Sequence, residues 1–332
     1  MSFKAVTCPA VVHHHARCRS LRRYFPLSGF SRIPSSRSTQ EASAVVDFIR
    51  MSSHGEAAAP PVSGKVVLSR LPAGESTVLS HAPAIKIVIA GEEIHEIDGR
   101  THVLRPGRML LVDRGAPYRA IVRRSHDAMG MCIYLPTAPD GSTPDPFLGR
   151  ALLQTTEANG LGRLLSQSAK MLHQDQNSAL SVETLMADVR SALPVVLAQA
   201  AGAMARLGAA KASTRRELLN RLECARAYLH EHKERAVPLN ELAGVAAMSS
   251  FQFTRYFSLA FGDPPSRYHR RVRLQHAAQK LRQRDSSITE IAFSAGYGEL
   301  SAFTHAFSRE FGCPPSMFGA AAFFPETERA RF

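Results

Sequence analysis

The stretch that decides the fold is 239–311, which holds one pattern twice: LNELAGVAAMSSFQFTRYFSLAF at Leu239–Phe261 and ITEIAFSAGYGELSAFTHAFSREF at Ile288–Phe311. Each copy predicts a short helix, a tight turn and a second helix with one buried face. In the first, Asn240 is expected to cap a helix over roughly 240–247, Met248-Ser249 to turn, and a helix to run over 250–261. There Phe253, Phe257 and Phe261 recur every fourth residue, which makes one apolar stripe. The second copy reads as a helix at Ile288–Ala295, a Gly-Tyr-Gly-Glu turn at 296–299 and a helix at 300–311, with Phe303, Phe307 and Phe311 in the same rhythm. Gly262 and Gly312, each followed one residue later by Pro-Pro-Ser, are matching helix stop signals.

The faces opposite these stripes are polar. The first carries Gln252, Arg255 and Ser258 with Leu259, and Phe251 at its N-terminal edge; the second carries Ser301, Thr304, His305 and Ser308. Arginine forks onto guanine and glutamine onto adenine, so the first face has base-reading chemistry. Between the copies, Ser266–Gln283 contains no helix breaker and carries Arg267, Arg270, Arg271, Arg273, Lys280 and Arg282. Such a helix spans ~27 Å, and its turns extend that towards the ~34 Å between successive major-groove faces. Its cations suit phosphates, which set affinity and register but not sequence. An amphipathic lead helix at Arg221–His232 precedes the first copy, with Leu222, Ala225 and Leu229 on one face.

Upstream the pattern changes. Lys65–Leu71, Ile85–Ala90, Glu93–Ile97, Thr101–Leu104, Met109–Asp113, Arg119–Val122 and Met129–Leu135 read as short strands, with turns at Asp98-Gly99, Pro106-Gly107 and Arg114-Gly115. After a Pro-rich connection at 136–146, Phe147–Leu207 switches to helical spacing. Residues 1–60 are rich in Ser, Arg, His and Pro and are expected to be a disordered basic tail, with Met51 a plausible true start. Residues 208–216 read as a linker.

The net charge of +13 is unevenly spread. Residues 1–40 carry seven basic residues and no acidic one, 41–211 carry 17 basic against 16 acidic, and 212–332 carry 17 against 12. The C-terminal part is thus only modestly basic, and charge alone does not establish a nucleic-acid partner. The five cysteines are scattered without a Cys-x-x-Cys pair, which argues against a disulfide framework and a zinc site and for a reducing compartment. No apolar run reaches the ~18 residues of a membrane span, so a cytoplasmic protein without membrane contact is expected.

Residues 221–318 resemble the DNA-binding domain of the AraC/XylS family of bacterial transcription regulators. The resemblance rests on the lead helix, both repeated patterns, Pro265-Ser266-x-Tyr268 through Arg273, Ala277 and Leu281, and Gly312-x-Pro314-Pro315-Ser316-x-Phe318. It implies two recognition helices that enter adjacent major-groove segments of promoter DNA. By position it implies base contacts from Gln252, Thr254 and Arg255, with weaker ones from Ser301, Thr304 and His305, and phosphate contacts from Ser250, Arg270 and Arg273. Two departures stand out. His305 falls where many relatives carry arginine, and Ala247 falls where glycine is usual, at roughly 1 kcal/mol if the residue is left-handed.

The N-terminal half resembles the cupin-like sensor of the same family through His95–Gly115, and the helices after Phe147 fall where relatives place dimerisation helices. The expectation is therefore a multidomain chain: a basic tail at 1–60, a mainly β cupin-like barrel with dimerisation helices at 61–207, a linker at 208–216, an all-α domain with two helix-turn-helix units at 217–320, and a tail at 321–332. The expected partners are double-stranded promoter DNA, a small-molecule effector, RNA polymerase and a second copy of the chain. His95 and His102 are guesses at effector-pocket lining. A cupin metalloenzyme is the rival, but His81, His95, His102 and His126 occur singly where such enzymes hold metal with a His-x-His pair, so no catalytic residue, metal or cofactor is expected. An effector-free DNA-binding regulator is the other alternative.

Overall fold

The computed structural model describes residues 47–320 apart from 55–63, 80–81, 114, 116–117, 124–126, 137–146, 148–150, 175–180 and 210. Expectations placed on 1–46, on His81 and His126, on most of the Pro-rich connection and on 321–332 lie outside the described residues.

The strands are β1 (Asp47–Met51), β2 (Lys65–Leu71), β3 (Gly74–Val78), β4 (Ala84–Ala90), β5 (Glu93–Ile97), β6 (Arg100–Leu104), β7 (Arg108–Val112), β8 (Tyr118–Val122), β9 (Ala128–Tyr134) and β10 (Ala151–Thr155). Seven match the sequence reading within a residue at each end. The other three were hidden for different reasons. β1 lies inside the expected tail, and β3 (GESTV) carries no apolar run. β10 (ALLQT) is buried at every position and lies at the start of the Phe147–Leu207 stretch read as helical, with Thr155 its one β-branched residue.

The strands form two sheets, ordered β1-β2-β9-β4-β7-β10 and β3-β8-β5-β6. The expected barrel is not closed: β6 and β10 end their respective sheets and are not paired with each other. An apolar core joins the sheets face to face, with Val88, Leu110, Val112 and Leu153 from one against Ile97, Leu104, Tyr118 and Ala120 from the other.

Helices follow: α1 (Gly160–Gln174), α2 (Val182–Arg206), α3 (Ala212–Glu231), α4 (Leu239–Val245), α5 (Ser250–Phe261), α6 (Pro265–Gln283), α7 (Ile288–Ser294), α8 (Leu300–Phe311) and α9 (Pro315–Ala320). α3 begins at Ala212, so half of the stretch read as a linker is helix. The chain divides into two compact units, and the division does not fall at that stretch. One unit, among the described residues, contains 47–231 and 238–265, which joins the sheets to α1–α5. The other, among the described residues, contains 232–237 and 266–320. No helix of the described residues is long and apolar enough to cross a membrane.

Candidate nucleic-acid interface

α4 and α5 form the first repeated pattern. α4 starts at Leu239 with Pro238 at its N-cap, so Asn240 sits inside the first turn rather than capping it. Proline supplies the extended φ there, and no side-chain cap forms. The connection is tight: the Met248 N–H donates to the Ala243 carbonyl at 2.9 Å, and Ala247 is left-handed at φ 50°. α5 opens with a capping box. The Gln252 N–H donates to Ser249 Oγ at 3.3 Å, and the Ser249 N–H donates to Gln252 Oε1 at 3.4 Å. Gln252 therefore uses its side-chain oxygen on its own helix start, which leaves its amide nitrogen to meet a ligand.

Phe253 and Phe257 are fully buried, as their spacing predicts. Phe261 is only half-buried, under the Arg226 guanidinium 4.4 Å from its ring centre. Gly262 ends the helix at φ 80°, its N–H donating to Ser258 O at 2.9 Å. The outward face presents Arg255, exposed, beside Phe251, which is 78% exposed. The Thr254 hydroxyl donates to Ser250 O at 2.9 Å, inside the helix. Phe251 was not among the expected readers, yet an exposed phenylalanine beside an exposed arginine on one helix start is the signal that would have singled it out.

α7 and α8 form the second pattern with the capping reversed. Here the first helix has the box, Ser287 with Glu290, and the backbone and hydroxyl of Ser287 hold the Glu290 carboxyl below the usual range. α8 has Glu299 at its N-cap, with no side-chain cap bond. The turn again closes with an N–H to carbonyl bond, Tyr297 to Ala292 at 3.1 Å, and its left-handed residue is Gly296 at φ 74°. It is one residue longer: two steps separate Ala247 from its N-cap Ser249, and three separate Gly296 from Glu299. Phe303, Phe307 and Phe311 are buried against Phe318 and α6 residues such as Leu274 and Ala278. The outward face carries exposed His305, half-exposed Thr304, and Ser301, whose hydroxyl donates to Glu299 Oε2 at 3.2 Å.

The two α6 arginines expected on phosphates differ. Arg270 is exposed. Arg273 is half-buried and donates from Nη1 to the carbonyls of Ala295 and Gly296 at 3.1 and 3.2 Å, with Tyr297 5.0 Å beneath it. Burial lowers its pKa. Its guanidinium pins the second turn, so Arg270 is the more available of the two.

In the β-sandwich, the guessed pair His95 and His102 sit directly opposite each other on β5 and β6, both buried. They belong to different surroundings. His95 lies deep, with Nε2 3.3 Å from Glu93 Oε2, and Glu93 lies 2.6 Å from Lys86 of the facing sheet. Burial opposes charge on both partners, but the contact prevails: Lys86 holds Glu93 down to about 2, and Glu93 holds Lys86 above the usual amine value. Burial, reinforced by Lys86, lowers His95 and keeps its imidazole neutral. His102 lies at the sandwich's open side, its pKa also lowered, by burial first and then by His95. No group of His, Cys, Asp and Glu suited to a metal occurs among the described residues.

α3 covers that open side in a way the sequence reading missed. β10 pairs with β7 along one edge. Along its other edge the Leu153 N–H donates to Asn220 Oδ1 at 2.9 Å, and the Thr155 N–H donates to Glu223 Oε2 at 3.0 Å. Arg226 closes the group by donating to both Glu223 oxygens at 2.6 and 2.9 Å. Side chains of a helix thus stand in for a neighbouring strand and satisfy a sheet edge that would otherwise lie open. The available signal was two polar residues three apart, Asn220 and Glu223, on a face shared with Leu219 and Leu222. α5 is held at its other end by α2, whose Arg206 donates to the carbonyls of Leu259 and Ala260 at 2.8 and 2.7 Å.

Residues 242–321, which run from α4 to past α9, match the protein family described as a helix-turn-helix domain. A putative AraC-like transcription regulator of Streptomyces lividans is 37% identical over 90 residues, 27% of this chain and 30% of its own. The transcriptional activator RhaS of Klebsiella pneumoniae is 36% identical over 95 residues, 29% of this chain and 34% of its own. A solved AraC-type regulator from Chromobacterium violaceum shows 24% identity and a TM-score of 0.31, covering 35% of this chain and 99% of that one. The C-terminal part is thus similar to regulators whose own names make them transcription regulators, one of them AraC-like. The chain spans about a third of the length of these two regulators.

Proposed function

We propose that this chain is a sequence-specific DNA-binding transcription regulator whose N-terminal β-domain senses a small molecule. The observation that carries the DNA reading is the outward start of α5, where Arg255 and Phe251 stand exposed above a fully buried Phe253 and Phe257. A rigid helix with a forked cation and an apolar ring reads guanine and the thymine methyl in a major groove. Gln252 through its amide nitrogen and Thr254 support that contact, and Ser250 and Arg270 hold phosphates. Ser301, Thr304 and His305 make the second helix a weaker reader, since one imidazole cannot fork onto guanine.

The effector reading rests on the polar groups at the sandwich's open side, where Arg100 and His102 line a cavity with Asn220 of α3. A second copy of the chain, RNA polymerase and a cytoplasmic setting complete the proposal. Selection of binding sites from random DNA by the full chain tests it. One enriched motif is expected, and recovery of no motif would overturn the reading.

A further inference from the structure

Beneath the N-terminal half of α3 lies a cavity of about 230 Å³, small beside usual ligand sites. Its sandwich side is Ile97, Arg100, His102 and Ala151; its helix side is Arg216 and Asn220, with Ser213 at the helix start. We propose that this cavity, rather than the deep Lys86–Glu93–His95 group, is where the sensed molecule binds, and that its ligand is a small carboxylate or phosphate. This rests on the effector reading above and gives it a place and a chemistry.

Three observations support the choice. The deep group is already matched in charge, with Lys86 set against Glu93. The cavity brings two guanidiniums, Arg100 and Arg216, the Asn220 amide, the Ser213 hydroxyl and a neutral His102 to one lining, together with the Asp98 carboxylate. Guanidiniums bind carboxylate and phosphate oxygens in pairs, and the volume limits the guest to a few heavy groups. Arg100 does have an acidic partner, Glu217 at 3.3 Å, but this pair is well exposed, at 44% and 33%, and so is weakly held. An anion in the cavity can take Arg100 from it.

The third observation is what the lining residues hold. Asn220 lines the cavity and also donates to and accepts from β10, so a guest touching it acts on the contact that seats α3. Glu217 in turn bonds Arg221 at 3.0 Å, and Arg221 donates to the carbonyl of Ala247 at 3.4 Å, in the turn before α5. A chain of contacts therefore runs from the cavity mouth, through Arg100, Glu217 and Arg221, to the turn that sets the first recognition helix. Occupancy that draws Arg100 inward releases Glu217 to Arg221 alone and alters the hold on that turn.

The test is titration of the full chain with inorganic phosphate and, separately, with malonate, followed by calorimetry and by the thermal transition. Saturable binding of at least one probe is expected, and the stronger arm tells phosphate from carboxylate. Arg100→Gln and Arg216→Gln are each expected to weaken it at least tenfold, with Arg100→Lys in between, while Arg255→Ala leaves it unchanged. DNA affinity for the selected motif is expected to shift when the bound probe saturates, and the shift to vanish in Arg221→Gln. Saturation by neither probe, or binding that survives both glutamine variants, overturns the proposal. A chain that selects DNA yet binds neither probe loses only the cavity assignment. One that binds a probe through these arginines yet selects no DNA keeps the site and loses the regulator reading.

Discussion

The two helix pairs share a scaffold and differ in almost everything laid on it. Both bury phenylalanines at fourfold spacing, both end at a left-handed glycine, and both second helices run for 12 residues. The first pair has a capping box on its second helix and a left-handed alanine in its turn; the second has the box on its first helix and glycine in a longer turn. The first belongs to the unit built on the β-sandwich, with α2 and α3 gripping it through Arg206 and Arg221. The second is packed on α6 and α9 and has its turn pinned by Arg273. The two pairs agree in the core, where packing tolerates little, and differ in the turn, the cap and the outward face.

The hardest test of that contrast is to break each core in turn. Phe257→Ala and Phe307→Ala each remove a fully buried ring and should each cost about 3–5 kcal/mol. Hydrogen exchange should then show protection lost in α4–α5 for the first variant and in α7–α8 for the second, with the other pair largely kept. Equal loss in both pairs from either variant would mean that the two units unfold as one.

Acid should weaken the sandwich unit. His95 and His102 are both held below the ordinary histidine value of 6.5, so the unfolded chain binds the extra protons. Their stabilisation is fully present above about 6.5 and is lost as pH falls below it; Glu93 adds loss between about 4.5 and 2. Thermal unfolding should therefore show the sandwich unit weakening with acid from pH 6.5 downward. His95→Gln should flatten that slope, and an unchanged slope would remove the imidazole from the account.

Much of this contrast was legible in the sequence, and what was not has a physical cause. The repeated stripes and the glycine stops were visible because helical period and C-terminal geometry are local. Seven strands were visible because short runs rich in β-branched residues are set off by turn residues. β10 escaped because ALLQT holds a single β-branched residue and lies in a stretch read as helical, and the edge contacts of Asn220 and Glu223 escaped because they join positions nearly seventy residues apart, at separations of 67 and 68. Open closure of the sheets was invisible for the same reason. Among the candidate readers, Arg255 stands exposed as expected, whereas Gln252 and Arg273 carry contacts that a residue list cannot reveal: one a capping bond, the other a pair of carbonyls.

At the reading faces the effect should be smaller than at the cores. Arg255→Ala should cost about 1–3 kcal/mol of DNA binding and relax one base position, and Phe251→Ala should relax a neighbouring position. His305→Ala should cost less, while His305→Arg should add a base preference that the wild-type motif lacks. Site selection with each variant reads all four, and a greater loss at His305 than at Arg255 would reverse the assignment of the stronger reader.

The smallest expected effects are at the turns, and their signs are opposite. Ala247 has a Cβ at φ 50°, which costs about 1–2 kcal/mol relative to glycine. Glycine at 247 relieves that strain but loosens the unfolded chain by about 0.4–1 kcal/mol, so Ala247→Gly should stabilise by about 1 kcal/mol or less. Gly296→Ala incurs the same backbone strain and meets a second obstacle, since a Cβ there would lie 3.0 Å from both Arg235 Cα and Arg273 Nη1. The first is backbone and cannot swing away; the second is the group that pins the turn. Gly296→Ala should therefore destabilise by more than Ala247→Gly stabilises, read as denaturation midpoints of the full chain. If both substitutions moved stability in the same direction, the left-handed turn would not be what distinguishes the two pairs, and the divergence would have to lie in their caps alone.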